Sequence, residues 1–392
     1  MQDVSFPKGF TAAGVAAGIK KNGNPDVGLL RSEPPARAFG AFTRNAAAAA
    51  PVRQCREVLA SGESVAFVLV NSGCANAATG ERGYKDSLDS AARVKSVTHS
   101  QGSVLVSSTG VIGEPLPMEA LNRGIDALAA GKGEAPFHRA IMTTDTFPKV
   151  AEMSLSLGGR EVRLGGAAKG AGMICPNMAT MLAYLTTDIA LPAGYRDGFL
   201  EVVDRTFNSI SVDGDMSTND TVILLANGAS GVEYAGLSPA DKELFDGALR
   251  GLMGDLARAI VRDGEGATKL IAVEVFGARS EADARAVGRA VSNSPLVKTA
   301  FFGGDANWGR VLAAAGYSGA VLEMDRLSLE FCGVKVFEKG LPLPRDEKDL
   351  AERMKAREVS VKLDLGIGSS AWTYWTCDLS YEYVKINGDY RS

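Results

Sequence analysis

KGAGMICPNMATMLAYLTTD (Lys169–Asp188) resists assignment to a single element. Small residues around Gly170 and Gly172 give way to Pro176 and Asn177, and an apolar run then starts with a lone threonine, Thr180. Glycine and proline punctuate the first part as a turn, and the apolar stretch after it reads as a buried strand. A β-branched polar residue at such a strand start is ordinarily structural. The other reading is a nucleophile: a threonine made N-terminal by chain cleavage can lose its hydroxyl proton to its own α-amino group, whose reference pKa is about 7.7–8.0.

The surrounding chain limits the chemistry. At 392 residues it suits one large unit or two domains, and 46% hydrophobic with 22% charged residues is ordinary globular composition. A net charge of -4 with scattered basic residues argues against nucleic acid and anionic membranes as partners. No apolar run approaches the ~20 residues that cross a bilayer, and the N-terminus lacks a basic start followed by an apolar core, so a cytoplasmic protein is expected. Five cysteines without a CxxC pair fit a reducing compartment better than a disulfide framework. With only His99 and His138, neither at ligand spacing from a second histidine or cysteine, most zinc sites and histidine-based nucleophile mechanisms are excluded, and no metal is expected.

Strand and helix signals alternate without a regular βαβ rhythm, which predicts an α+β layered fold. VAFVLVNSG (Val65–Gly73) and SVLVSSTGVIG (Ser103–Gly113) read as buried strands that deliver polar loops. Ser238, Pro239 and Asp241 form a helix start, with Leu244, Ala248, Leu252, Leu256 and Ile260 recurring until Asp263-Gly264. Further helices are expected from Ser280 and over Ser87–Val97. Beyond Leu327 the alternation predicts strands in LSLEFCGVKVF, VSVKLDLGIG and AWTYWTCDLSYEYVKI, with a charged helix in PRDEKDLAERMKAR.

Four local motifs invite chemistry, each beside a plainer reading. GGAAKGAG (Gly165–Gly172) misses the phosphate-loop spacing, so a tight turn with a solvated Lys169 is favoured. DGDMSTND from Asp213 looks like a calcium loop, yet Thr218 and Leu224 stand where glycine and glutamate are required, leaving a turn of mutually bonded side chains. DGEGATK is either a solvated helix end or a carboxylate, Glu265, presented to a cation. STG (Ser108–Gly110), after a buried strand, has the makings of an oxyanion hole, although such turns are common.

Taken together, KGAGMICPNMATML, PKGFTAAGVAAGIK, FGAFTRN, NSGCANAATG, SSTGVIG, IMTTDTFPK, RTFNSISVDGDMSTNDT, DGEGATKLI, NSPLVKTAFFGGDANWGR and CDLSYEYVKINGDYRS resemble the ornithine acetyltransferase (glutamate N-acetyltransferase) family over nearly the whole chain. The resemblance implies a four-layer αββα sandwich like that of N-terminal nucleophile hydrolases, with a smaller C-terminal α/β domain. The main domain is expected over 1–275 and the smaller one over 276–392. It implies self-cleavage between Ala179 and Thr180 into chains 1–179 and 180–392, which stay together as an α2β2 heterotetramer. Thr180 would then carry acetyl from N2-acetyl-L-ornithine to L-glutamate in a ping-pong cycle. No cofactor is implied, and acetyl-CoA is a further donor only in bifunctional members. Matched one at a time, Thr109 and Gly110 would form the oxyanion hole, while Thr146, Lys169, Glu265, Asn387 and Ser392 would bind substrate. Lys169 suits an α-carboxylate and Glu265 an ornithine ammonium. Departures are few: Cys74 stands where the family usually has Asn, Ala78 where it has Cys, Cys175 where alanine is frequent, and no histidine precedes the glycine in FFGGDANWGR. The rivals are a hydrolase with water as the acceptor and a structural protein that is never cut.

Overall fold

A computed structural model describes residues 3–175 and 181–389, so Ala179, Thr180 and Ser392 lie outside the described residues. The chain forms two compact units, one built from Met1–Asn208 and Asp215–Ile260, the other from Ser209–Gly214 and Val261–Tyr390. Among the described residues no helix is long and apolar enough to cross a membrane.

The first unit is organised by one long strand. β1 (Phe10–Val15), β2 (Val27–Phe42), β3 (Val65–Cys74) and β4 (Ser103–Val111) make one half of its sheet. β5 (Lys149–Leu157), β6 (Arg160–Lys169), β7 (Leu182–Thr187) and β9 (Thr221–Ala226) extend the other half from the same β2; the short β8 (Ile210–Ser211) belongs to the second unit. β2 pairs with β3 through Val27–Arg31 and at Ala36, then with β9 through Arg37–Phe42. Pro34 and Pro35, which have no N–H to donate, sit where it changes partner.

The two halves face each other across a common core. Leu30, Val68, Val70 and Leu105 from the first half pack with Ala167, Leu182, Tyr184, Ile223 and Leu225 from the second. The alternate residues Phe67 and Leu69 meet Val94 of α2 (Gly80–Thr98) and Leu121 and Ile125 of α3 (Met118–Ala129) on the outer side. β3 is therefore covered on both faces, which is why it reads as a continuous apolar run rather than an alternating one. On the opposite outer side Gly166 lets α6 (Pro239–Arg262) approach so closely that a Cβ there would stand 2.8 Å from Leu256 and 2.9 Å from Leu252. The result is the expected αββα order: helices, half-sheet, half-sheet, helix.

α6 starts as expected, the Ser238 hydroxyl accepting from the Asp241 amide at 3.1 Å. Of the expected series Ala248, Leu252, Leu256 and Ile260 are buried, and only Leu244, in the second turn, is not. Leu244 is 48% exposed, and Phe245, Leu249 and Met253 widen the buried face beyond the series. A strict spacing of four overshoots the 3.6-residue turn, so its first member falls at the edge of that face. GGAAKGAG also differs from expectation: Gly165 to Lys169 belong to β6, and Lys169 is buried, not solvated.

In the second unit, a sheet with order β13-β12-β11-β14-β10-β15-β8 is centred on β10 (Leu270–Ala278), parallel to β14 (Glu358–Asp364) and antiparallel to β15 (Ser370–Cys377). β11 (Ser328–Phe331), β12 (Val334–Glu338) and β13 (Leu341–Pro342) complete it. The border expected at 275/276 falls inside β10; the unit begins earlier, at Val261, so that no hydrogen-bonded strand is divided, and Glu265 lies in this unit. The Ser280 helix is present as α7 (Glu281–Asn293), Ser280 accepting from the Asp283 amide. The alternation read as strand through YEYVKI ends at Cys377, and Tyr381–Asp389 is helix α11. β15 reaches β8 only at Trp375 and Thr376, so the backbone beyond has no ladder to join and closes its own hydrogen bonds.

Gly165 packs against the backbone of the N-terminal segment, where a methyl group would run into the Asp3 carbonyl. Gly165→Ala is expected to cost about 1–3 kcal/mol, as overpacking does. A thermal-unfolding scan should show a lower midpoint for that variant.

Candidate active site

The shared bend of β2 brings two distant strand ends together. Thr109 and Gly110 lie near the end of β4, and Lys169 ends β6, several strands away in the sheet order. Yet the Lys169 ammonium donates to the Thr109 hydroxyl at 3.3 Å. Gly110 has φ +130° and is the register partner of Gly73, whose φ is +100°. A side chain at Gly110 would collide with the Gly73 backbone, so only glycine permits this close approach.

A buried ion pair supports Lys169 from below. The Asp145 carboxylate accepts from the Lys149 ammonium at 2.6 Å and from the Gly170 amide at 2.7 Å, and its second oxygen accepts from the Thr143 amide at 2.9 Å. The loop carrying Thr146 is thereby tied to the residue after Lys169. Burial alone would raise the Asp145 carboxyl, but the Lys169 and Lys149 ammoniums, with hydrogen bonds from Lys149 and Gly170, hold it at about 2.

Lys20 enters the same neighbourhood. Asp26 accepts from the backbone amides of Ala17, Gly18, Ile19 and Lys20 at 2.6–3.1 Å, which fixes the loop. The Lys20 ammonium donates to the Pro25 and Met142 carbonyls, both at 2.7 Å. Burial lowers it to about 8, with the Lys169 charge pushing the same way and Asp26 and Asp145 resisting.

The loop once compared with a calcium site turns out to be a strut. Asn219 donates to the carbonyls of Ala75 (2.6 Å) and Ser108 (2.8 Å), and the Thr43 hydroxyl donates to the Ser217 carbonyl at 2.7 Å. It thus braces the strand that bears Thr109. Asp220, next in the chain, is 3% exposed, and among the described residues neither carboxyl oxygen has a well-formed hydrogen bond. Burial pushes its carboxyl well above the usual range, and Thr43, the Met181 amide and Lys169 offset this only in part.

In the second unit the Glu265 carboxylate accepts from the Asn387 side chain at 2.9 Å, and Asn387 also donates to the Tyr383 carbonyl at 3.0 Å. Gly266, with φ +70°, turns the loop directly after Glu265. Thus Thr109, Gly110, Thr146 and Lys169 belong to the first unit and Glu265 and Asn387 to the second. Thr180 and Ser392 fall outside the described residues. Cys74 and Cys175 are buried, all five thiols are unbridged, and burial raises the Cys74 thiol. Lys20, Asp145, Lys149 and Asp220 were not apparent as site residues from sequence. The available hint was charge placed inside otherwise small or apolar stretches, GVAAGIK and TTDTFPK.

A buried ammonium 3.3 Å from a hydroxyl, beside a turn only glycine can make, is suited to hold the carboxylate and carbonyl oxygen of an acyl substrate. The chain belongs to the ArgJ family, whose model matches residues 11–392. It is 47% identical over 394 residues to the arginine biosynthesis bifunctional protein ArgJ of Nitratidesulfovibrio vulgaris, covering 98% of this chain and 99% of that protein. The mitochondrial arginine biosynthesis bifunctional protein ArgJ of Schizosaccharomyces japonicus is 45% identical over 408 residues, covering 99% and 94% respectively. A crystal structure of the arginine biosynthesis bifunctional protein ArgJ from Bacillus halodurans matches with a TM-score of 0.52 at 39% identity, covering 54% of this chain and 100% of that chain.

The two buried acids should respond oppositely to neutralisation. Asp145→Asn takes the carboxylate from buried Lys149 and is expected to cost about 3–5 kcal/mol at pH 7. Asp220→Asn removes a carboxyl whose charged form burial disfavours, so stability should hold or rise. Because the Asp145 carboxyl is depressed from 3.8 to about 2, its contribution is present above about pH 4 and disappears as pH falls toward 2. Thermal midpoints of both variants between pH 7 and 3 check this: the Asp145→Asn deficit should shrink on acidification.

Proposed function

We propose that this chain is an acetyltransferase of arginine biosynthesis, moving acetyl from N2-acetyl-L-ornithine to L-glutamate through an acetyl ester on Thr180. The observation that carries the reading is the meeting of Lys169 with Thr109 beside the Gly110 turn, 3.3 Å apart. It supplies a cation and a polar, glycine-lined niche at one strand end, as acyl transfer from an amino-acid amide requires.

The chemistry has two stages. In the first, the Thr180 hydroxyl attacks the Ala179 carbonyl, the amide C–N bond breaks, the freed nitrogen takes up a proton, and water hydrolyses the resulting ester. In the second, the new α-amine takes the Thr180 proton as the hydroxyl attacks the acetyl carbonyl of acetylornithine, the amide C–N bond breaks and ornithine leaves with that proton. The α-amine of glutamate then attacks the acetyl ester, loses a proton to the Thr180 amine, and the C–O bond breaks to return the hydroxyl and release acetylglutamate. Thr109 and Gly110 stabilise the oxyanion in this scheme. Lys169 holds the α-carboxylate, Glu265 the ornithine ammonium, and Thr146, Asn387 and Ser392 complete the contacts. No cofactor enters these steps. Because the relatives above are called bifunctional, we extend the proposal to acetyl-CoA as a second donor; a cytoplasmic α2β2 assembly of the two cleaved chains is proposed from the family resemblance alone.

Thr180→Ala should give a single full-length band on a denaturing gel and no acetyl transfer, against two bands for the parent chain. Two bands from the variant would refute the scheme. Glu265→Gln should raise the ornithine-side KM about ten-fold, the loss of one charge-assisted contact, while self-cleavage proceeds. Presenting acetylornithine and acetyl-CoA separately as donors to glutamate tests the extension; accumulation of free acetate in place of acetylglutamate would mark a hydrolase.

A further inference from the structure

The two amino acids in a ping-pong transfer visit one site in turn, and each brings an α-carboxylate. They differ at the far end, where ornithine carries an ammonium and glutamate a second carboxylate. Surroundings that favour the first group oppose the second, so the acceptor needs a cation that the donor can do without. With Lys169 given to the α-carboxylate in the proposed function, glutamate's side chain has no partner.

The described residues supply one candidate at the same strand end. A Cβ built on Gly73, the register partner of Gly110, would lie 3.2 Å from Lys20 Cγ, so the Lys20 side chain runs alongside the glycine turn. Its backbone is fixed by the amides bound to Asp26, and both Asp26 oxygens are engaged there. The ammonium donates to two neutral carbonyls, Pro25 and Met142, and among the described residues makes no ion pair. An ammonium has three N–H groups, so one is uncommitted. The lowering of Lys20 to about 8 reflects the same facts: a desolvated cation near Lys169 with no carboxylate in hydrogen-bonding contact. An arriving anion would meet a pre-positioned, half-buried donor and form a charge-assisted bond.

We propose that Lys20 receives the side-chain carboxylate of the glutamate acceptor and thereby sets the choice of acceptor. This rests on the acetyl transfer proposed above. Glutamine, which has the shape of glutamate without the second charge, separates this role from a structural one.

The test compares the full-length parent, Lys20→Met and Lys20→Arg with acetylornithine as donor and either glutamate or glutamine as acceptor. Lys20→Met should raise the glutamate KM about 10- to 100-fold and leave the glutamine KM little changed, so that the preference in kcat/KM collapses. Lys20→Arg, which keeps the charge, should restore most of that preference. The burst of ornithine released before any acceptor is added counts folded, competent sites in every variant, so a variant that misfolds is recognised by its burst and corrected for it. Equal losses with both acceptors, or an unaltered preference in Lys20→Met, would overturn the assignment. If the parent itself makes no acetylglutamate from acetylornithine, the proposed function fails first, independently of Lys20.

Discussion

Everything at the candidate site depends on β2 serving two half-sheets. A flat sheet with this strand order would hold Thr109 and Lys169, five strand spacings of about 4.8 Å each, roughly 24 Å apart. The change of partner near Pro34 and Pro35 folds one half over the other, and the shared core of Leu30, Val68, Tyr184 and Ile223 keeps them closed. The hydrophobic effect thus does more than stabilise the unit. It sets the distance between a hydroxyl on one half and an ammonium on the other.

That closure has an electrostatic cost, and the fold meets it in two different ways. Asp145, Lys149 and the Gly170 amide satisfy one another in a buried knot, so charge there is compensated. Asp220 has no such arrangement, and burial pushes its carboxyl well above the usual range. The two acids illustrate how burial decides protonation only after the available partners are counted.

Much of this was legible from the sequence where signals were local. The Ser238 start of α6, the Ser280 cap of α7 and the apolar runs of β3 and β4 needed only neighbouring residues to be recognised. Signals that depend on distant partners were misleading. The alternation in YEYVKI predicts a strand, but no strand is available to pair with it, so helix α11 forms. Gly165 and Gly166 look like a turn because their reason for being small, the approach of the Asp3 carbonyl and of α6, lies far away in the chain. Lys20 was read as one of many scattered bases, since nothing adjacent reveals that it sits beside Gly73. Thr180 gains meaning only from the family resemblance, because nucleophile and ordinary strand start share the same local pattern.

The antiparallel ladder from Leu164↔Thr187 to Lys169↔Leu182 flanks the residues between β6 and β7 on both sides. β7 is hydrogen-bonded to β6 on one edge and to β9 on the other, and β9 to β2. A break anywhere between Lys169 and Leu182 would therefore leave two polypeptides interleaved strand by strand, each supplying what the other's sheet lacks. Neither could depart without opening the core, so the pair would be degraded, inherited and replaced as a single object, with a lifetime set by global unfolding rather than by any dissociation constant.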